Sequence, residues 1–181
     1  TEVNQDLPDD GYVDGARTNY ALLKMEEAAN SGKPFFLAVG FTKPHLPFVA
    51  PKKYWDMYER DNISIHPEQG RDNSIPSIAF HNNHELVNNY SDIPLNGNIN
   101  EDKQRELIHG YKACVSYIDS QVGKLMLKLD EFGLSENTII VLWGDHGWHL
   151  GDHGLWIKHT NFEQAVDSPM IIYSPDHGLE N

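Results

Sequence analysis

The sequence is poor in cysteine, in cations and in long apolar runs, and each shortage excludes a class of protein. Among 181 residues there is one cysteine, Cys114, which excludes an internal disulfide and a cluster of thiolate metal ligands. Lys and Arg total 14 against 27 Asp and Glu, a formal charge of −13, and this argues against nucleic acid or an anionic membrane as a partner. No apolar run approaches the ~18 residues of a membrane-spanning helix.

The chain also lacks a starting Met, a basic leader segment and an apolar segment behind it. Its first residues are Thr1 to Asn4, so a secretory signal is not among them. Two explanations stay open: a signal was removed, or the chain starts within a longer protein. The length of 181 residues suits one domain with a sizeable core.

Two segments carry apolar residues at helical spacing. The first runs from Asp14 to Asn30, with Asp14 as its predicted N-cap. The second runs from Glu101 to Phe132, with Asn100 as its predicted N-cap. Cys114 lies on the apolar stripe of the second helix, where a small buried hydrophobe is a better interpretation than a nucleophile.

Three short apolar runs are typical of strands buried on both faces. They are Pro34–Phe41, Thr138–Trp143 and Met170–Tyr173. Their alternation with helices, including a short one predicted over Lys52–Tyr58, indicates an α/β layered fold with a largely parallel sheet.

Residues 59–100 form an irregular excursion from this pattern. They contain nine Asn, three Pro and two Gly without sustained periodicity. Long ordered loops in compact domains are often functional, and a solvated insertion with no role is nearly as good an interpretation.

Chemistry-bearing residues gather after the predicted strand 138–143. Asp145 and His146 follow it directly, between Gly144 and Gly147, which allow a sharp turn and close approach to a ligand. Ligands of open α/β sheets bind at the carboxyl ends of strands, so both residues are candidates for a ligand or metal site. Carboxylates suit Ca²⁺ and Mg²⁺ whereas imidazole suits Zn²⁺, so residue types leave the metal open.

A metal-binding role is less well supported for two other histidines of this stretch. His149 and His153 have the i, i+4 spacing of a helical zinc site, but the nearby glycines disfavour a helix. A Gly-rich loop whose histidines hydrogen-bond to backbone is the competing interpretation of the whole stretch.

His45 and Lys158 are candidates only in combination. His45 follows the predicted strand 34–41, between Pro44 and Pro47, which restrict the backbone. Taken singly, a solvated loop histidine and an ordinary surface lysine are the better interpretations. Together with a carboxylate-bound metal they could form an anion site, because a strongly acidic chain needs local cations to hold an anion.

Four stretches resemble the type I sulfatases and occur in that family's order, covering about Asp14 to Pro175. They are Lys33–Phe41 continued by Lys43–Phe48, then Ser116–Gly123, Gly144–Lys158 and Ser168–Tyr173. Asp145 is followed by His146, where many sulfatases carry Asn, and this resembles the iduronate-2-sulfatase subgroup.

The resemblance implies an alkaline-phosphatase-like three-layer fold, present only in part, and hydrolysis of a sulfate ester, on a sulfated sugar or glycosaminoglycan-derived substrate. Family members hold Ca²⁺ beneath a formylglycine made from Cys or Ser. Carried over, Asp145 would ligate calcium and His146 would contact the metal or the nucleophile. His45 and Lys158 would bind the sulfate, and either could protonate the leaving oxygen. Such enzymes are commonly exported or lysosomal.

One departure from the family is decisive for activity. No Cys/Ser-x-Pro/Ala-x-Arg motif, the source of the formylglycine, occurs in the sequence, and Cys114 is followed by Val115-Ser116-Tyr117. Residues 1–181 are therefore expected to be the C-terminal portion of a sulfatase catalytic domain, inactive alone, with the formylglycine in a missing N-terminal part. Two alternatives stay open: a phosphate mono- or diester hydrolase of the same superfamily, and a non-catalytic domain.

Overall fold

The computed structural model describes residues 2–3, 5–95 and 97–175, which form an α/β structure of helices and short strands. No helix in these residues is long and apolar enough to cross a membrane. The elements in chain order are β1 (Glu2–Val3), α1 (Val13–Ser31), β2 (Phe48–Val49), α2 (Lys52–Trp55), α3 (His84–Asn89), α4 (Glu101–Glu131), β3 (Ile140–Trp143), α5 (Glu163–Val166) and β4 (Met170–Tyr173).

Tertiary contacts divide the described chain into two units. The first unit comprises Glu59–His109 and Val141–Ile171. The second comprises Glu2–Tyr58, Gly110–Ile140 and the described residues from Ile172 to Pro175. The first unit contains the loop with Asp145, and the second contains the loop with His45.

The two long helices agree with the sequence analysis to within one residue at each end. The carbonyl oxygen of the Asn100 side chain accepts the N–H of Lys103 at 2.9 Å, so Asn100 caps α4 as predicted. The predicted capping role of Asp14 is wrong. Tyr12 occupies the N-cap position of α1, and Asp14 lies in the first turn with its carboxylate engaged elsewhere.

The predicted buried strands are only partly correct. β3 and β4 occur where they were expected, but they are exposed, with Trp143 63% and Met170 62% accessible. Pro34–Phe41 forms no strand. Strands need paired neighbours and covering layers, and within residues 2–3, 5–95 and 97–175 β3 and β4 pair only with each other. A largely parallel sheet is not confirmed, since the parallel pairing described is the short pair β1–β2.

A glycine in the middle of α4 lets the helix pack closely in the second unit. A Cβ atom on Gly110 would lie 2.7 Å from Cβ of Phe48 and 2.8 Å from the indole of Trp55. One turn further on, Cys114 is fully buried. Burial raises the pKa of its thiol to about 12, so Cys114 is a packing residue, as predicted, and not a nucleophile.

A buried carboxylate ties three segments of the second unit together. Asp9 is 7% exposed, and its oxygens lie 2.6 Å from Nζ of Lys124 and 2.7 Å from Nζ of Lys53. Gln121 and Tyr54 each donate a further hydrogen bond at 3.0 Å. Burial alone would raise the pKa of Asp9, but these donors outweigh it and hold the pKa well below its usual range.

Replacing this carboxylate is expected to destabilise the protein. Asp9→Asn leaves two ammonium groups without their anion, and we expect the free energy of unfolding at pH 7 to fall by about 2 kcal/mol in urea denaturation. Asp6→Asn, a change of an exposed carboxylate nearby, is the matched control and should stay within about 0.5 kcal/mol of the wild type.

The same residue predicts a pH dependence. The pKa of Asp9 is lower in the folded than in the unfolded chain, so its stabilisation is full above about pH 4, the unfolded pKa, and is lost as the pH falls further. The difference in unfolding free energy between wild type and Asp9→Asn should therefore shrink from pH 5 to pH 3. A difference that grows on acidification would contradict this assignment.

Candidate active site

The loop that follows β3 is held against the backbone of α5 and of the residue directly before β4. Gly144 donates its N–H to the carbonyl oxygen of Pro169 at 3.0 Å, and Gly147 donates to that of Ala165 at 2.8 Å. A Cβ atom on Gly147 would lie 2.2 Å from the carbonyl oxygen of Gln164. Position 147 therefore requires glycine for a close approach to the protein's own backbone.

Asp145 and His146 lie side by side at the carboxyl end of β3. The carboxylate of Asp145 is 86% exposed, and its Oδ2 is 3.5 Å from Nε2 of His146. Nδ1 of His146 is 2.7 Å from the carbonyl oxygen of Gly147. Because a carbonyl only accepts, Nδ1 donates, and the neutral ring keeps its lone pair on Nε2. Two electron-pair donors, Oδ2 of Asp145 and Nε2 of His146, thus lie 3.5 Å apart.

This pair fits part of a metal site. A separation of 3.5 Å allows two donors to share one cation at bond lengths of about 2.3–2.6 Å. The hydrogen bond to Gly147 fixes the ring in the tautomer that a metal needs. Among the described residues, however, no group of three or more His, Cys, Asp or Glu is placed to hold a metal. Asp145 and His146 would therefore need further ligands to complete a shell.

His149 anchors the segment that carries Lys158. His149 is fully buried, and its Nδ1 contacts the carboxylate of Asp152 while Nε2 lies 2.7 Å from the hydroxyl of Thr160. Its backbone N–H bonds to the carbonyl of Ile157 at 3.0 Å. Burial opposes ionisation of Asp152, but the hydrogen bond from His149 outweighs it, and the pKa of Asp152 is lowered. The contacts of His149 with Ile157 and Thr160 lie on either side of Lys158 in the sequence.

The expected absence of a helical histidine pair is confirmed. Residues 152–154 form a single 3-10 turn in which His153 has φ 52°, so His149 and His153 do not share a helix face. The ring of His153 stacks on Phe162, with centroids 4.8 Å apart.

Lys158 is paired with a carboxylate that the sequence analysis did not single out. Its Nζ lies 2.9 and 3.0 Å from the two oxygens of Glu85. Both side chains are largely buried, with 15% and 16% exposure. The ammonium also lies over the ring of Trp148, 4.9 Å from the centroid. Lys158 is therefore a fixed cation and not an ordinary surface lysine.

His45 lies in the second unit, on a loop held by Asp14. The two oxygens of Asp14 accept the backbone N–H groups of Thr42 and Lys43, each at 3.0 Å. Arg17 bridges the Asp14 carboxylate, at 2.9 Å, and the Thr42 hydroxyl, at 2.5 Å. Asp14 is 2% exposed, so the segment leading to His45 is fixed by a buried, charged acceptor.

The ring of His45 is also oriented. Its Nδ1 lies 2.7 Å from the carbonyl oxygen of Leu46, so Nδ1 donates and Nε2 carries the lone pair when the ring is neutral. Nζ of Lys43 donates to the carbonyls of His45 and Pro47 at 2.6 and 2.7 Å. The predicted roles of His45, Lys158, Asp145 and His146 in substrate and metal binding remain predictions, because the structure carries neither group.

Asp14 and Glu85 are the site-supporting residues that sequence reasoning missed. Asp14 was interpreted as a helix cap because Asp is common at that position. Glu85 precedes Lys158 by 73 residues in the segment without periodicity, so no spacing connects the two. Trp148, which lies under the ammonium of Lys158, is a further supporting residue. Its position between His146 and Lys158 in the sequence is the signal that could have indicated this role.

The chain matches the sulfatase family over residues 3–180. It belongs to the sulfatase family. It is 39% identical to iduronate 2-sulfatase of Mus musculus and 38% identical to that of Homo sapiens, each over 175 residues. These alignments cover 94% of the chain and 32% of each relative, so the chain spans about a third of the length of these relatives. The resemblance drawn from the sequence is confirmed.

Solved structures agree on the fold. A phosphonate monoester hydrolase from Silicibacter pomeroyi aligns with a TM-score of 0.76 at 24% identity, over 93% of this chain and 34% of that one. A protein solved in complex with its substrate D-glucosamine-2-N,6-O-disulfate aligns with a TM-score of 0.72 at 19% identity, over 91% and 43% of the two chains. Both solved structures thus share the fold of this chain.

The anchoring role of Asp14 can be tested by amide hydrogen exchange. Asp14→Asn removes the charge and one of two acceptor oxygens, so at least one of the Thr42 and Lys43 amides should exchange about ten- to a hundredfold faster. The control is Asp10→Asn, at an exposed carboxylate just before α1. Unchanged exchange at both amides would show that Asp14 does not hold this loop.

Proposed function

We propose that the protein containing this chain hydrolyses sulfate esters. The observation that carries the proposal is the Asp145–His146 pair, whose Oδ2 and Nε2 atoms face each other 3.5 Å apart directly after β3. In open α/β sheets the carboxyl end of a strand is where ligands bind. Family membership supports assigning this position to the reaction centre.

Ca²⁺ is the proposed metal, with Asp145 as a ligand and His146 contacting the metal or the nucleophile. When bound, the ion would stabilise negative charge on the sulfate oxygens. The Asp145 carboxylate suits a hard cation, and the hydrogen bond from His146 Nδ1 to Gly147 keeps Nε2 directed away from the backbone.

Lys158 and His45 are proposed to bind the sulfate group. Lys158 supplies a cation whose position is fixed by Glu85 and Trp148. His45 supplies Nε2, which in the protonated ring can donate to an anionic oxygen or to the leaving oxygen. A lysine and a histidine held by a surrounding scaffold lose little freedom on binding, which favours electrostatic stabilisation of the transition state.

The remaining chemistry is proposed to come from other residues of the same protein. The formylglycine motif does not occur among the 181 residues, and Asp145 and His146 supply two metal donors where Ca²⁺ takes about 6–8. The apolar side chains of β3 and β4 are exposed, and we propose that they pack against the missing N-terminal part of the catalytic domain. The 181-residue chain alone is then inactive.

The proposed substrate is a sulfated sugar or a glycosaminoglycan-derived saccharide. Support comes from the similarity to the iduronate 2-sulfatases and from the fold shared with the protein solved with a disulfated glucosamine. A phosphate or phosphonate ester is the second candidate, favoured by the fold shared with a phosphonate monoester hydrolase. A non-catalytic domain is the third.

Substitutions at two positions test the assignment in the full protein. We expect Asp145→Asn and Lys158→Ala each to lower kcat/KM for an aryl sulfate by about a hundredfold or more, because each removes charge stabilisation of the transition state. Asp61→Asn and Lys33→Ala, at exposed positions, should retain activity. Full activity in both site variants would refute the roles of these residues.

Parallel assays with an aryl sulfate and an aryl phosphate separate the candidate functions. A sulfatase should turn over the sulfate with the higher kcat/KM. Faster turnover of the phosphate would favour the second candidate, and no turnover of either by the full protein would favour a non-catalytic domain.

Calcium titration tests the proposed division of ligands. The 181-residue chain should bind Ca²⁺ weakly in calorimetry, with a Kd of about 1 mM or weaker, because an incomplete oxygen shell supports little affinity. Removal of Ca²⁺ from the full protein with a chelator should abolish hydrolysis. Tight binding by the isolated chain would contradict the proposal.

A further inference from the structure

The carboxylate of Glu85 offsets the positive charge of Lys158. Both carboxylate oxygens of Glu85 lie within 3.0 Å of Nζ of Lys158. An ammonium has three N–H donors, so Lys158 can offer at most one more to an anion. The pair brings no net charge, and both side chains are mostly shielded from solvent, where screening of nearby charges is reduced.

Glu85 is held in place independently of Lys158. The side chain of Asn83, just before α3, accepts the N–H of Trp156 at 2.9 Å and donates to the carbonyl of Gly154 at 3.0 Å. Leu86 and Val87, which follow Glu85 in α3, are buried. These contacts fix α3 to the segment that leads to Lys158, so the carboxylate stays beside the ammonium when an anion arrives.

A second contact reinforces this position. Nε2 of His159 lies 3.2 Å from one oxygen of Glu85, and the ring of His159 stacks on that of His84 with centroids 5.3 Å apart. Glu85 is thus contacted by the ammonium of Lys158 and by the half-exposed ring of His159, and its carboxylate lies in the immediate surroundings of Lys158.

We propose that Glu85 is a specificity-determining residue that makes the anion site discriminate by charge. The inference rests on the proposed function of Lys158 as a sulfate-binding cation. A sulfate monoester carries one negative charge, whereas a phosphate monoester, with a second pKa near ~6, and inorganic sulfate each carry about two at neutral pH. Coulomb repulsion is proportional to charge, so the Glu85 carboxylate opposes a dianion about twice as strongly as a monoanion.

Two consequences follow for the reaction. Glu85 shifts the preference of the site toward sulfate monoesters over phosphate monoesters of the same shape, relative to the same site without its carboxylate. The site also binds inorganic sulfate, the dianionic product, less tightly than it would if no carboxylate lay beside Lys158. Hydrolysis converts a monoanionic ester into this dianion, so Glu85 assists product release. Glu85 acts on the anion through charge and through Lys158, and no contact of Glu85 with substrate is required.

The test compares the wild-type full protein with three variants. In Glu85→Gln the ratio of kcat/KM for an aryl phosphate to that for an aryl sulfate should rise about tenfold, and the Ki of inorganic sulfate should fall more than KM for the aryl sulfate. Glu85→Asp keeps the charge and should restore a ratio near that of wild type. Glu68→Gln, at an exposed carboxylate of the same excursion, should match wild type.

The outcomes separate this inference from the proposed function. Wild type that does not hydrolyse the aryl sulfate overturns the proposed function. Wild type that does, together with unchanged ratios and an unchanged sulfate Ki in folded Glu85→Gln, overturns the role of Glu85 alone.

A second substitution keeps the inference testable if Glu85→Gln does not fold. Glu85→Ala also removes the carboxylate and should raise the phosphate-to-sulfate ratio of kcat/KM in the same direction. An unchanged ratio in folded Glu85→Ala would overturn the proposed discrimination.

Discussion

A carboxylate taken out of water must receive donors, because an unpaired buried charge is too costly to retain. This constraint arranges the parts of the protein that matter for function. The carboxylate of Asp9 contacts two lysines, a glutamine and a tyrosine. Asp14 fixes the segment that leads to His45 through two backbone N–H groups. Asp152 holds the imidazole of His149. In a chain with 27 acidic residues and 14 lysines and arginines, backbone N–H groups and an imidazole supplement the cations as partners of these buried carboxylates.

The sequence was sufficient for the elements whose stability is local. α1 and α4 each have an apolar stripe and occur where predicted, although the predicted N-cap is correct only for α4. The strands were harder, because a run such as Pro34–Phe41 becomes a strand only beside a partner. No strand within the described residues pairs with it, and the same lack of neighbours leaves β3 and β4 exposed.

For the candidate site, too, the sequence was sufficient for some residues and not for others. Asp145, His146, His45 and Lys158 could be selected from their motifs and their positions after apolar runs. The residues that fix them could not, because the contact between Glu85 and Lys158 joins positions 73 residues apart and leaves no periodic trace. Asp14 stands near the start of a helix, where capping is the common use of an aspartate, so the sequence favours a role that the structure does not show.

The ring of Trp148 contacts both His146 and Lys158 in the first unit. Its ring stacks near that of His146, with centroids 6.3 Å apart, and it lies beneath the ammonium of Lys158. Indole emission responds to the charge and motion of groups in contact with it. The chain therefore carries an intrinsic optical reporter beside both proposed binding positions, and a cation at His146 or an anion at Lys158 would each alter its fluorescence without any added label.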